Sequence, residues 1–551
     1  MISINQVEEI FSSHERIIIV NNFSINDQSV HGKIGVTIDN EGQKLEWDVE
    51  ISSIYPFKIM GGEPIIFRNI DLLEYPHIMK DGHLCMHPAE FEDPKSQLKH
   101  DIALLIEWVD TYYIERRKDS YYEHLVVEDE PIDGEYYTFS FTSTDKEFEK
   151  NDYGIVKYAT ILKGQKRGKP VNNYIVQGLI SYYAKNKEPK LSQISKIYLN
   201  FESEEGIYFL LEKAPAIYNK FIFEDFEELK GLFTQAQKDF IYKFINFNNS
   251  VQKRIPLFCG YKLPNGDLHW QVLIFSTDNP PIQGVRFGTG KNRIWHTDFI
   301  GGRIHWAETK NISYQYFFGR GSIPQELSEK RIFILGIGAI GSIIAETLTR
   351  LGARNITICD IDIKSPENVC RSAYTFFTGI TDKVEELKWH LIQISPHVEC
   401  NVIEPILDII IKESASNQHD MSSISKLFDN YDFVFDCTTD NQLMRIMDTI
   451  KTKAMVVNLS ITNYAQDLIC GFSPNITQTV LMIYALLDRT SHLDLYQPIG
   501  CWNPTFKASY NDISCKVQFG LHHILKMLNK EEPLGSFYIT EENKNLTFHR
   551  I

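Results

Sequence analysis

The run Leu335-Gly336-Ile337-Gly338-Ala339-Ile340-Gly341-Ser342 constrains this chain more than any other segment. It follows an apolar β-run, Ile332 to Ile334, and leads into an apolar helical run, Ile340 to Leu351. Glycines at such a junction let backbone N–H groups and a helix N-terminus close on a phosphate. The same alternation recurs downstream, with β-runs at Asn355 to Cys359, Val398 to Ile403, Phe433 to Phe435 and Met455 to Leu459 separated by helical stretches. It predicts an α/β region with a parallel sheet covered by helices. The glycine loop then lies at the carboxyl edge of its strand, where such sheets bind ligands.

A loop of this kind also serves dinucleotide-dependent oxidoreductases, which carry an acidic residue about 20 positions further on. Asp360 meets that requirement and does not separate the readings. The residues that follow do: Asp362, Asn368, Arg371, Lys383 and Asp440. Two cations beside a phosphate loop suit attack on the α-phosphorus of a triphosphate, where charge grows in the transition state. Hydride transfer needs nothing of the kind. A carboxylate after the fourth strand, Asp440, suits the Mg²⁺ that bridges phosphate oxygens. Taken singly, Arg371 and Lys383 also read as solvated helix-end cations, and Asp440 as a helix N-cap.

A length of 551 residues implies two or three domains. The formal charge of −16 argues against a nucleic-acid partner, which needs cations to replace counterions. No apolar run of about 18 residues and no basic leader occurs, so the expectation is a cytoplasmic protein with no membrane partner. Nine cysteines without a Cys-x-x-Cys pair speak against both a disulfide framework and a four-thiolate zinc site. Cys359, Cys400, Cys437 and Cys470 sit in or beside apolar runs and read as packing residues.

Three regions are expected. Residues 1–125 mix short strands (Arg16 to Val20, Leu45 to Ile51, Pro64 to Phe67) with a helix from Asp101 to about Arg117, which predicts a small α+β domain. The acidic stretch Val127 to Glu135 reads as a connector. Residues 126–315 are strand-rich, with one helical segment near Phe226 to Phe247 and no chemical motif, which predicts a middle linker domain of unknown role. Its basic run Lys163 to Lys169 reads as a solvated turn.

From Gly336 through Asp362, Asn368, Arg371, Lys383 and Asp440, residues 316–551 resemble the ThiF-like adenylation domain of ubiquitin-activating enzymes and of bacterial activators of sulfur-carrier proteins. The resemblance implies ATP- and Mg²⁺-dependent adenylation of a protein's C-terminal carboxylate. By position, Gly336, Gly338 and Gly341 would hold the nucleotide phosphates and Asp360 or Asp362 the ribose. Asn368, Arg371 and Lys383 would meet phosphates, and Asp440 the metal. Arg320 would reach across a homodimer interface. Sulfur-carrier activators often hold a structural zinc on two Cys-x-x-Cys pairs, so their absence here implies a zinc-free branch.

An acyl adenylate is a mixed anhydride that a thiolate can capture as a thioester. Cys501, in Gly500-Cys501-Trp502-Asn503-Pro504, stands on a Gly- and Pro-bounded loop and matches the family's acceptor by position. At the other end, Tyr55-Pro56-Phe57, then Tyr75-Pro76-His77 and Cys85, then Trp108, resemble the ubiquitin-conjugating fold. There a His-Pro-Asn turn precedes the catalytic cysteine; here Tyr75 and His77 flank the proline, and a His77 imidazole would replace the asparagine as oxyanion donor. A rival reading sees His83, Cys85 and His87 alternating on one strand face as metal ligands.

Both resemblances in one chain resemble the fused ubiquitin-like transferases of antiphage operons of the CBASS type. That likeness implies adenylation, a thioester on Cys501, transthiolation to Cys85, and ligation to an acceptor lysine. The activated protein would be a ubiquitin-like protein or a cyclic-nucleotide synthase (CD-NTase). The alternatives are sulfur-carrier activation, a non-catalytic binding scaffold and, last, an NAD-linked oxidoreductase.

Overall fold

The computed structural model describes all residues except 1–2, 27–28, 40, 59–61, 87–90, 92, 118–129, 184–187, 249–251, 288–293, 405–421, 488–494, 497–504 and 543. Near the N-terminus, helix Ile4–Ser12 is opened by a Ser3 capping box and buries Val7, Ile10 and Phe11. It packs on a four-stranded antiparallel meander, Ile17–Asn26, Ser29–Thr37, Lys44–Ile51 and Ile65–Arg68. In Lys44–Ile51 burial alternates, with Leu45, Trp47, Val49 and Ile51 on the core face. Helix Pro94–Trp108 closes the layer and starts seven residues before the predicted Asp101, because Asp93 caps it through the Ser96 amide and Pro94 fills its first turn.

The middle of the chain is a β-barrel. Strands Tyr136–Phe141, Trp306–Asn311, Leu268–Ser276, Arg254–Lys262, Ser203–Leu210, Tyr153–Lys166 and Lys169–Ser181 follow one another, and the last pairs in parallel with the first. The barrel interior is filled by Phe139, Tyr158, Tyr208, Phe258 and Trp270, among others, and so is a packed core. The basic run lies at the tip of the hairpin formed by Tyr153–Lys166 and Lys169–Ser181. Tyr198 carries the barrel onto the C-terminal layer by donating its hydroxyl to Ile392 O at 2.8 Å.

The C-terminal sheet has eight strands and is mixed rather than parallel throughout. In spatial order they are Glu399–Val402, Asn355–Cys359, Arg331–Leu335, Phe433–Asp436, Met455–Thr462, Asp467–Phe472, Phe537–Glu542 and Asn545–Arg550. The first five run parallel, as the βα alternation requires, and the last three are added antiparallel: Asp467–Phe472 by a hairpin, Phe537–Glu542 after a long helical connection, and Asn545–Arg550 by a second hairpin. Chain order reverses between Arg331–Leu335 and Phe433–Asp436, so a crevice opens beyond their carboxyl ends. Helices Ala339–Arg350, Lys383–Ile394 and Tyr510–Leu528 contribute Ile343, Leu387 and Val517 to the core on one face. Helices Asn441–Thr449 and Ile476–Leu486 cover the other with Met444 and Ile483.

Candidate active site

The glycine loop sits at that reversal. Gly336 has φ 73°, and a Cβ there would lie 2.7 Å from the Thr438 backbone, so the loop and the end of Phe433–Asp436 touch main chain to main chain. A Cβ on Gly341 would stand 2.1 Å from Gly336 O, which lets the helix press against the turn. At Gly338 a Cβ would meet nothing within 4 Å. Gly338 is the N-cap of helix Ala339–Arg350 and offers no side-chain cap, so the helix's first amides find no side-chain acceptor on their own capping residue.

Asp360 braces this loop, taking the Ile337 amide on Oδ2 and the Asp362 amide on Oδ1, both at 2.8 Å. Asp362 turns outward, its side chain 60% exposed, and pairs with the largely buried Lys383 ammonium at 2.7 Å. Asn368 accepts a hydrogen bond from the Ser365 amide on its Oδ1 in a capping box, and Arg371 ends the same short helix, half-buried. Asp440 caps Asn441–Thr449 through Oδ1 at 2.7 Å from Gln442 N and 3.1 Å from Leu443 N. The carboxyl ends of three adjacent strands therefore carry the loop, the Asp360–Asp362 pair and Asp440, with Lys383 at the rim. Arg320 is exposed on the loop after Phe318, which packs near Gly352 at the opposite end of helix Ala339–Arg350. It does not line the glycine loop of its own chain.

Cys85 is half-buried, at the end of a loop rather than on a strand. Its amide donates to His77 O at 2.8 Å, and Leu84 bridges Ile78, so the cysteine and the Tyr75–Ile78 turn are one unit. His77 adopts φ 61°, and its Nε2 lies 3.2 Å from the Tyr112 hydroxyl. Trp108 Nε1 donates to Pro76 O at 2.9 Å. Among the described residues no group of three His, Cys, Asp or Glu side chains is arranged to hold a metal. Of the rival metal triad, His87 lies outside the described residues, as does Cys501.

Residues 310–469 match the ThiF family model. They are a ThiF-family domain. The ATP-dependent ubiquitin transferase-like protein Cap2 of Enterobacter hormaechei subsp. hoffmannii (strain UCI 50) is 24% identical over 328 residues, covering 55% of this chain and 53% of that protein. The molybdopterin-synthase adenylyltransferase of Escherichia coli (strain K12) is 28% identical over 122 residues, 22% of this chain and 44% of that one. The chain thus spans about half the length of the curated relatives it matches. Among solved structures, E. coli MccB with ATP aligns at 15% identity and TM-score 0.29, over 41% of this chain and 64% of that one.

Within the ThiF-family domain, a second layer of contacts escaped the sequence. Lys364, with its side chain 1% exposed, binds Glu386 Oε2 at 2.5 Å, Thr375 O at 2.8 Å and Thr378 Oγ1 at 2.6 Å. Burial alone would raise the Glu386 carboxyl, but the Lys364 ammonium, the Thr378 hydroxyl and the Thr375 amide hold it below its ordinary range. Tyr374 donates to Ile337 O at 2.6 Å, and burial beside Asp360, Glu386 and Asp362 keeps it protonated. Buried Asp436 accepts from Thr438 and Asn458, and burial raises its carboxyl. Lys364 has no local signature, since its partner stands on a helix 22 residues on. The packing cysteines are as expected: burial pushes the Cys400 thiol up to about 12 and raises Cys437 and Cys470 as well.

Proposed function

We propose that this protein adenylates the C-terminal carboxylate of a protein substrate at the glycine loop and passes the acyl group along two cysteines. The observation that carries the reading is the uncapped helix end at Gly338, set at the reversal of strand order in a ThiF-family domain with Lys383–Asp362 at its rim. ATP is the substrate such a cradle fits: uncapped amides and a helix dipole for phosphate oxygens, and a buried lysine for charge that grows at the α-phosphorus. Asp360 or Asp362 holds the ribose, and Asn368 and Arg371 contact phosphates. Mg²⁺ keeps waters and phosphate oxygens and needs one or two carboxylates, which suits Asp440.

A carboxylate oxygen of the substrate attacks the α-phosphorus and pyrophosphate leaves. The Cys501 thiolate then attacks the acyl carbon and AMP leaves. The Cys85 thiolate takes the acyl group and releases Cys501 as its thiolate. A lysine amine of the acceptor protein attacks in turn, loses a proton and frees Cys85, while His77 donates to the oxyanion. Thiol exchange is nearly isoenergetic, so the ATP step supplies the drive. By the resemblance to the fused ubiquitin-like transferases of CBASS-type antiphage operons, the activated protein is a ubiquitin-like protein or a cyclic-nucleotide synthase, and the setting is cytoplasmic antiphage defence by a homodimer with Arg320 at the partner's site. Among the described residues no helix is long and apolar enough to cross a membrane.

The test is incubation with ATP, Mg²⁺ and the proteins encoded beside it, followed by non-reducing gels. The expected result is thiol-sensitive adducts on both cysteines. Adducts that survive in both Cys85→Ala and Cys501→Ala contradict the relay. Product formation unchanged in Cys85→Ala alone favours sulfur-carrier activation.

A further inference from the structure

The turn beside Cys85 is held from the region the sequence left without a role. Lys220 follows Tyr218 and Asn219, both at positive φ (54° and 57°), in the turn between the short strands Ala216–Ile217 and Phe221–Ile222. It is 6% exposed, and its ammonium donates to Tyr75 O at 2.6 Å and to Ile78 O at 3.0 Å. Between those two acceptors, Pro76 O takes Trp108 Nε1 at 2.9 Å and His77 O takes the Cys85 amide at 2.8 Å. Four consecutive carbonyls are thereby oriented, two of them by one lysine from more than 140 residues away. An exposed ion pair of Lys80 with Glu224 joins the same two segments again.

A buried ammonium on neutral carbonyls is an expensive way to attach one region to another, because a cation loses its hydration for two hydrogen bonds. Burial accordingly pushes Lys220 down to about 8. Apolar packing would attach the two regions as well. What the lysine adds is direction: it fixes the Tyr75–Pro76 and Ile78–Met79 peptide planes, and so frames the His77 carbonyl that bonds to Cys85.

We propose that Lys220 is a positioning residue of the Cys85 centre, its ammonium locking the Tyr75–Ile78 turn and thereby the relative placement of His77 and Cys85. The middle region is then a clamp on the conjugating end rather than a spacer. This rests on reading Cys85 as a thioester carrier. Without the ammonium, two desolvated carbonyls have no donor and the turn must move to find water.

The full chain is compared with Lys220→Met, which keeps length and loses the donor, and Lys220→Arg, which keeps the charge. Iodoacetamide alkylation of Cys85 is followed by peptide mass spectrometry, with the exposed Cys370 and Cys515 as internal references. Discharge of the Cys85 thioester to free lysine is timed alongside ATP–pyrophosphate exchange. In K220M, discharge is expected to slow by about 10- to 100-fold and Cys85 alkylation to change by about threefold or more, since small misplacements are costly in rate. Exchange and the reference cysteines should hold, and K220R should restore most of the loss. Unchanged Cys85 alkylation and discharge in K220M overturn the proposal, as does a change shared equally by all three cysteines and by exchange. Should K220M not fold, Lys220→Gln is judged by the same criteria. If the wild type forms no thioester on Cys85, the relay falls, while the alkylation arm still decides the role of Lys220.

Discussion

At the glycine loop, the groups that shape the backbone all belong to one sheet and its helices: Asp360 on the loop amides, Tyr374 on Ile337 O, Thr438 against Gly336. Around Cys85 the shaping groups are borrowed, Trp108 from a following helix and Lys220 from another region of the chain. A phosphate cradle is a property of one supersecondary unit, because a helix end and a tight turn supply their own donors. The Cys85 loop supplies only its own amide, to His77 O, so the carbonyls of Tyr75, Pro76 and Ile78 are satisfied from elsewhere. The first site should therefore survive changes in the rest of the chain, and the second should not.

The largest effect is expected from Gly341→Ala, whose Cβ would stand 2.1 Å from Gly336 O. It should abolish ATP–pyrophosphate exchange and lower the melting temperature, with Gly338→Ala, where nothing lies within 4 Å, melting higher. Next comes Lys364→Met. Breaking a buried pair costs about 3–5 kcal/mol, to be read by denaturant unfolding. The sign with pH is fixed by Glu386, whose folded carboxyl titrates below its ordinary value of 4.5. Its stabilisation is complete above that value and lost as pH falls through the lower folded value. The K364M penalty should accordingly be greatest near neutrality and shrink in acid.

Lys383→Ala should slow adenylation by about 10²- to 10³-fold, the range for losing one group that stabilises transition-state charge. Stability should change little, because the partner Asp362 is 60% exposed. The smallest effect is expected from Trp108→Phe, which removes the donor to Pro76 O at a cost of about 1–3 kcal/mol. It should slow lysine discharge and leave exchange untouched, and a matching loss in exchange would erase the contrast between the two sites.

The same contrast explains what the sequence disclosed. The placement of the glycine loop, Asp360 and Asp440 just beyond strand ends, and of Lys383 at a helix start, was legible because these positions are set by local chain order, which survives folding. The five parallel strands were legible from alternation, whereas the three antiparallel ones after Met455–Thr462 were not, since hairpins such as Phe537–Glu542 with Asn545–Arg550 break that rhythm. The helix start at Pro94 was in view in Asp93-Pro94 but stood outside the apolar periodicity that marked the later turns. Lys364 and Lys220 were illegible for another reason. Each is an ordinary lysine in its own neighbourhood, and its partners are set only by the fold.

The most direct test of the central claim is ATP–pyrophosphate exchange, driven by a protein encoded beside this one, in wild type, Cys85→Ala, Cys501→Ala and Lys383→Ala. Exchange in the wild type and both cysteine variants, with loss by about two orders of magnitude in Lys383→Ala, is the predicted result. Exchange that is indifferent to Lys383, or a chain that turns over a nicotinamide cofactor in place of ATP, would contradict it.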